Sequence, residues 1–135
     1  MIAQILSGKT TLQLGNLSPT RDLVFVKDTV QGFIEIFNAP GLYGEATNIG
    51  MNAEIAIKDL VMLIGNMMGV AIAIVSEPER IRPTKSEVER LKCDNAKILS
   101  QTAWKPSYTL QSGLAETITW MKNNRAIYQA ERYHV

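Results

Sequence analysis

Arg21 is the side chain of this sequence whose position best suits binding chemistry. It follows the turn Ser18-Pro19-Thr20, in which proline fixes φ and the hydroxyl groups bond the local backbone. A guanidinium held beside a turn can donate two parallel hydrogen bonds to a phosphate or a carboxylate. Asp22 leaves a second interpretation open, in which Arg21 and Asp22 form a surface ion pair that holds the turn.

Covalent and metal chemistry have little support in this sequence. His134 and Cys93 are the only residues of their types, so a Ser-His-Asp set, a Cys-His set and a metal-ligand cluster are not expected. The stretch Ala3 to Thr10 nearly fits a phosphate loop. That loop requires a strand before it and a helix after it, whereas the residues after Thr10 alternate like a strand. We therefore predict no catalytic set, no metal site and no phosphate loop.

Composition and charge predict an ordinary globular protein. Hydrophobic residues make up 46% of the 135 residues and charged residues 20%, and the net charge of +1 gives no basic surplus for nucleic acid. The longest apolar region, Leu60 to Val75, is broken by glycines and is short for a membrane span. A single cysteine and the lack of a visible N-terminal signal favour the cytoplasm. We expect a single domain over 1–135, or a piece of a larger one, with a helical or frayed tail at 124–135.

The first part of the sequence predicts short strands and one amphipathic helix. Met1 to Leu6 suits the last turns of a helix, and Thr10 to Leu14 alternates like a strand. Leu23 to Val26 is a fully apolar run with strand composition. A helix is expected to begin at Asp28, with Gln31 as its capping-box partner. Its apolar residues recur at the spacing of a helix with one buried face: Val30, Phe33, Ile34 and Phe37.

The rest of the sequence alternates strands with helices. Ala46 to Gly50 and Ala71 to Val75 are predicted as short strands. Asp94 is expected to cap a short helix and Thr109 to cap the last one. The pattern predicts an α/β fold with short strands among four or five helices. The helix between the two strands carries a second regular apolar stripe: Ile57, Leu60, Val61, Ile64, Met67 and Met68.

Several motifs, in order, resemble one enzyme family. Residues 21–29, RDLVFVKDT, are similar to the segment R-D-[FLY]-x-[FY]-V-x-D of the extended short-chain dehydrogenase/reductases that act on nucleotide sugars. The similarity is closest to their NAD-dependent 4,6-dehydratases and 4-epimerases. Further matches follow in the family's order over about residues 2–123: Asn48-Ile49-Gly50, Arg82-Pro83, KSEVER at 85–90, Asp94-Asn95-Ala96-Lys97, and Trp104, Pro106, Thr109, Leu110, Gly113, Leu114, Thr117, Ile118 and Trp120.

The resemblance implies both a fold and a set of binding residues. It implies the C-terminal, substrate-binding portion of an extended Rossmann-type epimerase or dehydratase. Arg21 would contact the phosphates of a sugar nucleotide, and Arg82, with Arg80 as its rival, would be a second phosphate-binding arginine. Asn48 would face the ligand from the end of its strand, or alternatively would cap its own turn.

Two of the family's motifs are missing from this sequence. Gly41, Gly44 and Gly50 do not have the spacing of the family's cofactor motif G-x-x-G-x-x-G. No tyrosine is followed by lysine four residues later, so the family's catalytic Y-x-x-x-K is also missing. We therefore expect this chain to hold no cofactor, although the family uses NAD, and not to catalyse a reaction alone.

Two functions from different classes remain open. The chain is either the substrate half of a nucleotide-sugar epimerase or dehydratase, or a non-catalytic interaction protein that reuses the fold and binds no nucleotide. In the family, the helix over Val30 to Phe37 and the strand Ala46 to Gly50 pack against the NAD-binding half. Without that half they would expose apolar surface and a strand edge, which normally become association sites. The expected partners are a nucleotide sugar and a second copy or an NAD-binding half, with no nucleic acid and no membrane.

Overall fold

The computed structural model describes residues 1–76 and 88–128, and Arg80 and Arg82 lie outside these ranges. The predicted α/β class is confirmed. In chain order the described helices and strands are α1 (Ile2–Leu6), β1 (Thr11–Leu14), β2 (Thr20–Arg21), α2 (Val26–Phe37), β3 (Ile55–Ala56), α3 (Ile57–Met68), β4 (Ala73–Ser76), β5 (Arg90–Leu91), α4 (Ala96–Gln101) and α5 (Leu110–Asn123). No helix in the described ranges is long and apolar enough to cross a membrane.

The backbone divides into two units, each built from segments that are distant in sequence. Unit one consists of Met1–Pro19, Ala56–Glu89 and Leu114–Val135, and unit two consists of Thr20–Ile55 and Arg90–Gly113. The parallel pair β1 and β4 lies in unit one, and the parallel pair β2 and β5 lies in unit two. Unit two contains Arg21 and Asn48, the predicted site residues that the structure describes.

Unit one follows its sequence pattern closely. Strand β1 pairs with β4 in parallel, from Thr11 opposite Ala73 to Leu14 opposite Ser76. The predicted stripe of α3 supplies the buried side chains of that helix, with Val61 fully buried, and the helix ends at Gly69 with a left-handed φ of 69°. Helix α1 covers the first part of the near-match to a phosphate loop, Ala3 to Leu6, and β1 follows the near-match. A strand thus stands where such a loop requires a helix, so its rejection is confirmed.

The predicted strand at Leu23 to Val26 is wrong, and so is the predicted start of α2. Pairing between β2 and β5 covers only Thr20 and Arg21. The carboxylate of Asp22 then accepts the backbone N–H groups of Met51 and Cys93, at 2.8 and 3.1 Å, which ends the ladder. Helix α2 begins directly afterwards at Val26, with Phe25 as its N-cap.

Asp28 therefore lies in the first turn of α2 and does not cap it. Its side chain is buried, and no side chain forms the cap of this helix. The predicted capping-box partner Gln31 donates instead to Glu35, one turn further along the helix, at 3.0 Å. The capping box failed because the carboxylate of Asp28 bonds a distant loop, which sequence spacing alone does not reveal.

The predicted strand at Ala46 to Gly50 is also wrong, since this segment belongs to no strand among the described residues. A strand needs a neighbour to complete its backbone hydrogen bonds. This segment is held by side chains instead. Lys97 donates to the carbonyl oxygen of Ala46 at 3.0 Å, and Asn95 donates to that of Gly50 at 2.8 Å.

The apolar stripe of α2 is exposed, which corrects the prediction of one buried face. Phe33 is 65% exposed and Phe37 is 74% exposed, and Val30 and Ile34 are about half exposed. The buried positions of α2 are Asp28 and Gly32. The exposure of this stripe, which the family resemblance led us to expect, is confirmed.

The C-terminal helices begin as predicted in most respects. Thr109 Oγ1 accepts the N–H of Ser112 at 3.1 Å, and Ser112 Oγ accepts the N–H of Thr109 at 2.9 Å, so Thr109 caps α5. Helix α4 begins at Ala96 with Asn95 as its N-cap instead of the predicted Asp94, although the N–H of Ala96 donates to the carboxylate of Asp94 at 2.9 Å. Trp104, predicted as a core residue, is buried.

Candidate functional site

A groove in unit two contains Arg21 on its wall. Its volume is about 380 Å³, which falls within the range of small-molecule sites. We refer to it as the Arg21 groove. Three segments of the chain form it, and they contribute Arg21 and Leu23, then Met51, Ala53, Glu54 and Ile55, then Pro106, Ser107, Tyr108, Thr109 and Leu110.

Arg21 stands at the end of β2, where the strand gives way to coil. It is half-buried, and its Nη1 donates to the carbonyl oxygen of Thr20 at 2.8 Å. This bond orients the guanidinium on a paired strand, while the groove opens beside it. A planar group with several N–H donors in a fixed fork suits an anion with several oxygen atoms.

Glu54 adds a negative charge to the groove wall, and Arg90 compensates it. The two side chains form an ion pair of 2.6 Å, and Thr20 Oγ1 donates to Glu54 at 2.9 Å. The hydrogen bonds from Arg90 and then from Thr20 lower the pKa of Glu54, while the bond to Glu54 raises the pKa of Arg90. Glu54 is therefore ionised near neutral pH with its charge already paired.

A second carboxylate, that of Asp22, joins the end of β2 to one other segment of the groove. Besides the N–H of Met51, it accepts that of Cys93, so it joins the end of β2 to the loops at 51 and 93. Burial, followed by the nearby carboxylates of Asp22 and Asp94, raises the pKa of the Cys93 thiol. Cys93 is accordingly a protonated packing residue at neutral pH.

Asp28 fixes the third segment of the groove. Its carboxylate accepts the N–H groups of Ser107 and Tyr108, at 2.9 and 3.1 Å. The indole Nε1–H of Trp104 donates to the backbone carbonyl oxygen of Asp28 at 2.9 Å. Two buried hydrogen-bonding groups of one residue thus hold the loop that leads into the 106–110 wall.

Tyr108 adds an aromatic ring to this wall, and the ammonium group of Lys27 lies beside that ring. Its ring centroid lies 4.5 Å from that of Phe25, at a tilt of 46°. The Nζ of Lys27 lies 5.6 Å from the Tyr108 centroid, within cation–π range, and 3.4 Å from its hydroxyl oxygen. Such a cluster of aromatic rings and a cation can pack against a planar or anionic ligand group.

Of the two predicted site residues that the structure describes, only Arg21 lines the groove. Asn48 is exposed and does not line the Arg21 groove, and its Nδ2 donates to the carbonyl oxygen of Asp94 at 3.3 Å. That bond links two loops that are distant in sequence, whereas the structural alternative left open for Asn48 was a cap of its own turn. Arg80 and Arg82 lie outside the described residues.

Sequence reasoning missed Glu54 and Asp28 as parts of this site. Both are acidic residues whose partners are distant in sequence. Arg90, the partner of Glu54, lies 36 positions later, and the loop at Ser107 and Tyr108 lies about 80 positions after Asp28. For Asp28 a signal existed, because the R-D-x-x-x-V-x-D segment includes this aspartate. Among the described residues, no group of three or more His, Cys, Asp or Glu side chains is placed to hold a metal ion.

Comparison with known proteins decides the family. The family model described as GDP-mannose 4,6 dehydratase matches residues 1–117 of this chain. The chain belongs to the GDP-mannose 4,6-dehydratase family. The matched range contains the whole of the Arg21 groove.

Curated members of nucleotide-sugar enzyme families share this sequence region. The UDP-glucose 4-epimerase of Mycolicibacterium smegmatis is 31% identical over 88% of this chain and 36% of its own length. A dTDP-glucose 4,6-dehydratase of Xanthomonas campestris is 27% identical over 96% of this chain and 38% of its own length. The chain thus spans little more than a third of the length of these relatives.

Solved structures show the same fold over the same share. An epimerase from Methanothermobacter thermautotrophicus superposes with a TM-score of 0.81 at 24% identity, over 93% of this chain and 37% of that one. The UDP-glucuronic acid 4-epimerase of Bacillus cereus, solved in complex with UDP-glucuronic acid and NAD, gives a TM-score of 0.77 at 22% identity, over 91% and 38%. This family member therefore folds like part of a Rossmann-type epimerase.

Proposed function

We propose that this chain is the substrate-binding portion of a nucleotide-sugar epimerase or 4,6-dehydratase, and that the Arg21 groove binds the diphosphate of the sugar nucleotide. The observation that carries the proposal is the position of Arg21, on a paired strand and on the wall of a groove of about 380 Å³. The relatives are named for UDP-glucose and dTDP-glucose, compounds in which a diphosphate joins the nucleoside to the sugar.

The charges of the groove support an anionic ligand. Glu54 forms its ion pair with Arg90, and the guanidinium of Arg21 lies on the same wall of the groove. A guanidinium can take two oxygen atoms of a phosphate at once. The ring of Tyr108 offers an apolar surface at the opposite segment of the groove. We propose Arg82, with Arg80 as the rival, as the second phosphate-binding residue, and Asn48 as a neighbour of the ligand.

Catalysis by this chain alone is not part of the proposal. The sequence contains neither the family's Y-x-x-x-K pair nor its glycine-rich cofactor motif. The Bacillus cereus epimerase is described with both NAD and a sugar nucleotide bound, and we propose that NAD reaches this chain's substrate only through an NAD-binding half. One wall of the complete site would then belong to that half, and binding by this chain alone would be weak. We propose the cytoplasm as its location, because a sequence with a single cysteine, Cys93, cannot form an internal disulfide.

A second candidate function rests on a different observation, the exposed apolar stripe of α2. It is a non-catalytic interaction protein that keeps the fold and binds no nucleotide. An apolar helix face of this kind is typical of a protein–protein contact. The two candidates differ in whether the Arg21 groove responds to a ligand.

The test is a titration of the chain with UDP-, GDP- and dTDP-linked sugars, followed by amide chemical shifts. The proposal predicts saturable shifts at Arg21, Glu54 and Tyr108 with one nucleotide, which also identifies the base. The amide of Lys58, on α3 in unit one, serves as the internal control and should not move. Unchanged spectra up to millimolar ligand would support the interaction protein instead.

A further inference from the structure

Glu54 lies on the wall of the Arg21 groove, whereas the two residues that hold its carboxylate do not. The lining of the groove includes Glu54 but neither Thr20 nor Arg90. The side chain of Glu54 is 22% exposed, and that of Arg90 is 71% exposed. The two partners therefore hold the carboxylate from outside the groove, and Glu54 itself forms part of the surface that a ligand would meet.

The carboxylate of Glu54 is fixed in place and still has acceptor capacity. Arg90 Nε lies 2.8 and 3.0 Å from its two oxygen atoms, and Arg90 Nη2 lies 2.6 Å from Oε1. Thr20 Oγ1 donates to Oε2 at 2.9 Å. An ionised carboxylate offers about four lone-pair sites, and these two residues supply two N–H groups and one hydroxyl. Within the described part of the chain, one acceptor site therefore remains for a donor that enters the groove.

Thr20 places Glu54 next to Arg21. The carbonyl oxygen of Thr20 accepts a hydrogen bond from Arg21 Nη1 at 2.8 Å, and its hydroxyl donates to Glu54. Both side chains are thus bonded to the same residue of β2, and both line the groove. A ligand whose anionic group lies at Arg21 therefore brings the atoms beside that group to Glu54.

The charge of Glu54 restricts which ligand group can lie against it. Because its pKa is lowered by Arg90 and Thr20, the carboxylate is ionised at neutral pH, and it repels phosphate oxygen atoms and other carboxylates. It accepts hydrogen bonds from hydroxyl groups, and such bonds to a carboxylate are short and strong. A nucleotide sugar carries hydroxyl groups on both sides of its diphosphate, on the ribose and on the hexose. An acidic residue binds ribose in this way in dinucleotide-binding folds.

We propose that Glu54 is a specificity residue of the Arg21 groove, where its carboxylate accepts a hydrogen bond from a sugar hydroxyl that adjoins the diphosphate. The inference rests on the proposed function for the class of ligand, and it adds a second binding contact with a chemistry opposite to that of Arg21. Arg21 binds the anionic part of the ligand, and Glu54 requires a neutral donor beside it. A site built to bind a hydroxyl group discriminates strongly against an analogue that lacks one. The groove should therefore prefer a nucleotide sugar to a simple anion.

Titration of the wild type and Glu54→Gln with two kinds of ligand tests this role. Amide chemical shifts give the affinities for UDP-, GDP- and dTDP-glucose and for inorganic pyrophosphate, which has no sugar hydroxyl. Glu54→Gln should weaken binding of the nucleotide-linked glucose about tenfold, because a charge-assisted hydrogen bond is lost. Its affinity for pyrophosphate should be unchanged or higher, because a repelling charge is removed.

The outcomes separate this inference from the proposed function. A wild type that binds neither kind of ligand overturns both. A wild type that binds a nucleotide-linked glucose supports the proposed function, and the inference alone then fails if Glu54→Gln binds that ligand equally well. It also fails if Glu54→Gln loses both ligands in the same proportion, because that result shows a distorted groove.

Arg90→Gln is the matched second variant, because it breaks the same ion pair and keeps the carboxylate of Glu54. It should bind the nucleotide-linked glucose more tightly than Glu54→Gln does. Equal weakening by the two variants would show that the ion pair matters and the acceptor does not, which overturns the proposal.

Two fragments of the ligand identify which sugar supplies the hydroxyl. The nucleoside monophosphate of the preferred base contains the ribose without the hexose, and glucose 1-phosphate contains the hexose without the ribose. Glu54→Gln should weaken binding of the monophosphate alone if the ribose is the donor, and of glucose 1-phosphate alone if the hexose is the donor. Unchanged binding of both fragments contradicts the proposed contact.

Discussion

The indole Nε1–H of Trp104 donates to the backbone carbonyl oxygen of Asp28 across 2.9 Å, in the buried centre of unit two. The carboxylate of the same aspartate accepts two N–H groups from the following loop. One residue in the first turn of α2 thus fixes a loop that lies about 80 positions later in the chain. Asp28 thus connects the family-like motif at residues 21–28 to one wall of the Arg21 groove.

Replacing Asp28 should loosen that loop. Asp28→Ala leaves the N–H groups of Ser107 and Tyr108 without their acceptor, and we expect a loss of about 2 kcal/mol in the free energy of unfolding by urea. Asp28→Asn keeps one acceptor oxygen and should lose less. The control is Asp59→Ala, an exposed acidic residue in the first turn of α3, for which about 0.5 kcal/mol is expected. Equal losses of stability for Asp28→Ala and Asp59→Ala would show that the hydrogen bonds of Asp28 to the loop contribute no more than an exposed carboxylate does.

Gly50 is packed too closely to accept a side chain. A Cβ atom there would overlap the Cβ of Cys93 and lie 2.6 Å from its Sγ. Gly50→Ala should therefore cost about 1–3 kcal/mol of stability through overpacking. Gly41→Ala is the matched control, since a Cβ at Gly41 meets no atom within 4 Å. Thermal unfolding of both variants checks this, and a Gly50→Ala midpoint no lower than that of Gly41→Ala would refute the close contact.

The ionisation of Glu54 should report its pairing with Arg90. Because hydrogen bonds from Arg90 and Thr20 lower its pKa, the Glu54 carboxyl carbon should titrate below the ordinary value of 4.5. The pairing favours the folded state above that ordinary value, and this contribution is lost as the pH falls through the lowered pKa. Arg90→Gln should raise the NMR midpoint, whereas Lys92→Gln, which removes the weakest of the contributing charges, should change it little. Identical midpoints in the wild type and Arg90→Gln would contradict the ion pair.

Helices were predictable where a regular apolar stripe lies between residues that typically begin and end a helix. For α3 the stripe, the acidic first turn and the glycine at its end all agree, and the helix spans Ile57–Met68. For α2 the stripe correctly indicated a helix but not what covers it. Periodicity shows which residues share a face, whereas burial depends on a partner surface that the sequence does not specify.

Strands were harder to predict because pairing is not local. Leu23 to Val26 has strand composition, yet the carboxylate of Asp22 binds two distant amides and ends the ladder after Arg21. Strand propensity reflects how well a side chain fits a half-buried pleated surface. A segment with strand composition therefore does not form a strand where no neighbouring strand is available. The same holds for Ala46 to Gly50, whose backbone is held by the side chains of Lys97 and Asn95.

Arg21 was selected from the sequence because it lies in a motif that follows a recognisable turn; it does line the groove, and its binding role stays a prediction. Its surroundings were not predictable, since Glu54 and the loop at 106–110 line the groove from distant segments, and Arg90 pairs with Glu54 from a further one. A chemical role can be inferred from a local motif, but the charge balance of a site depends on the tertiary fold.

The most direct test of the proposed substrate-binding function compares Arg21→Gln with the wild type in binding the nucleotide sugar that gives the largest shifts. Removing the guanidinium should weaken binding roughly tenfold or more, since charge-assisted hydrogen bonds of this kind contribute about 1.5–3 kcal/mol each. Lys58→Gln, which removes an exposed cation in unit one, should bind like the wild type. Equal affinity of the wild type and Arg21→Gln would contradict the assignment of the groove.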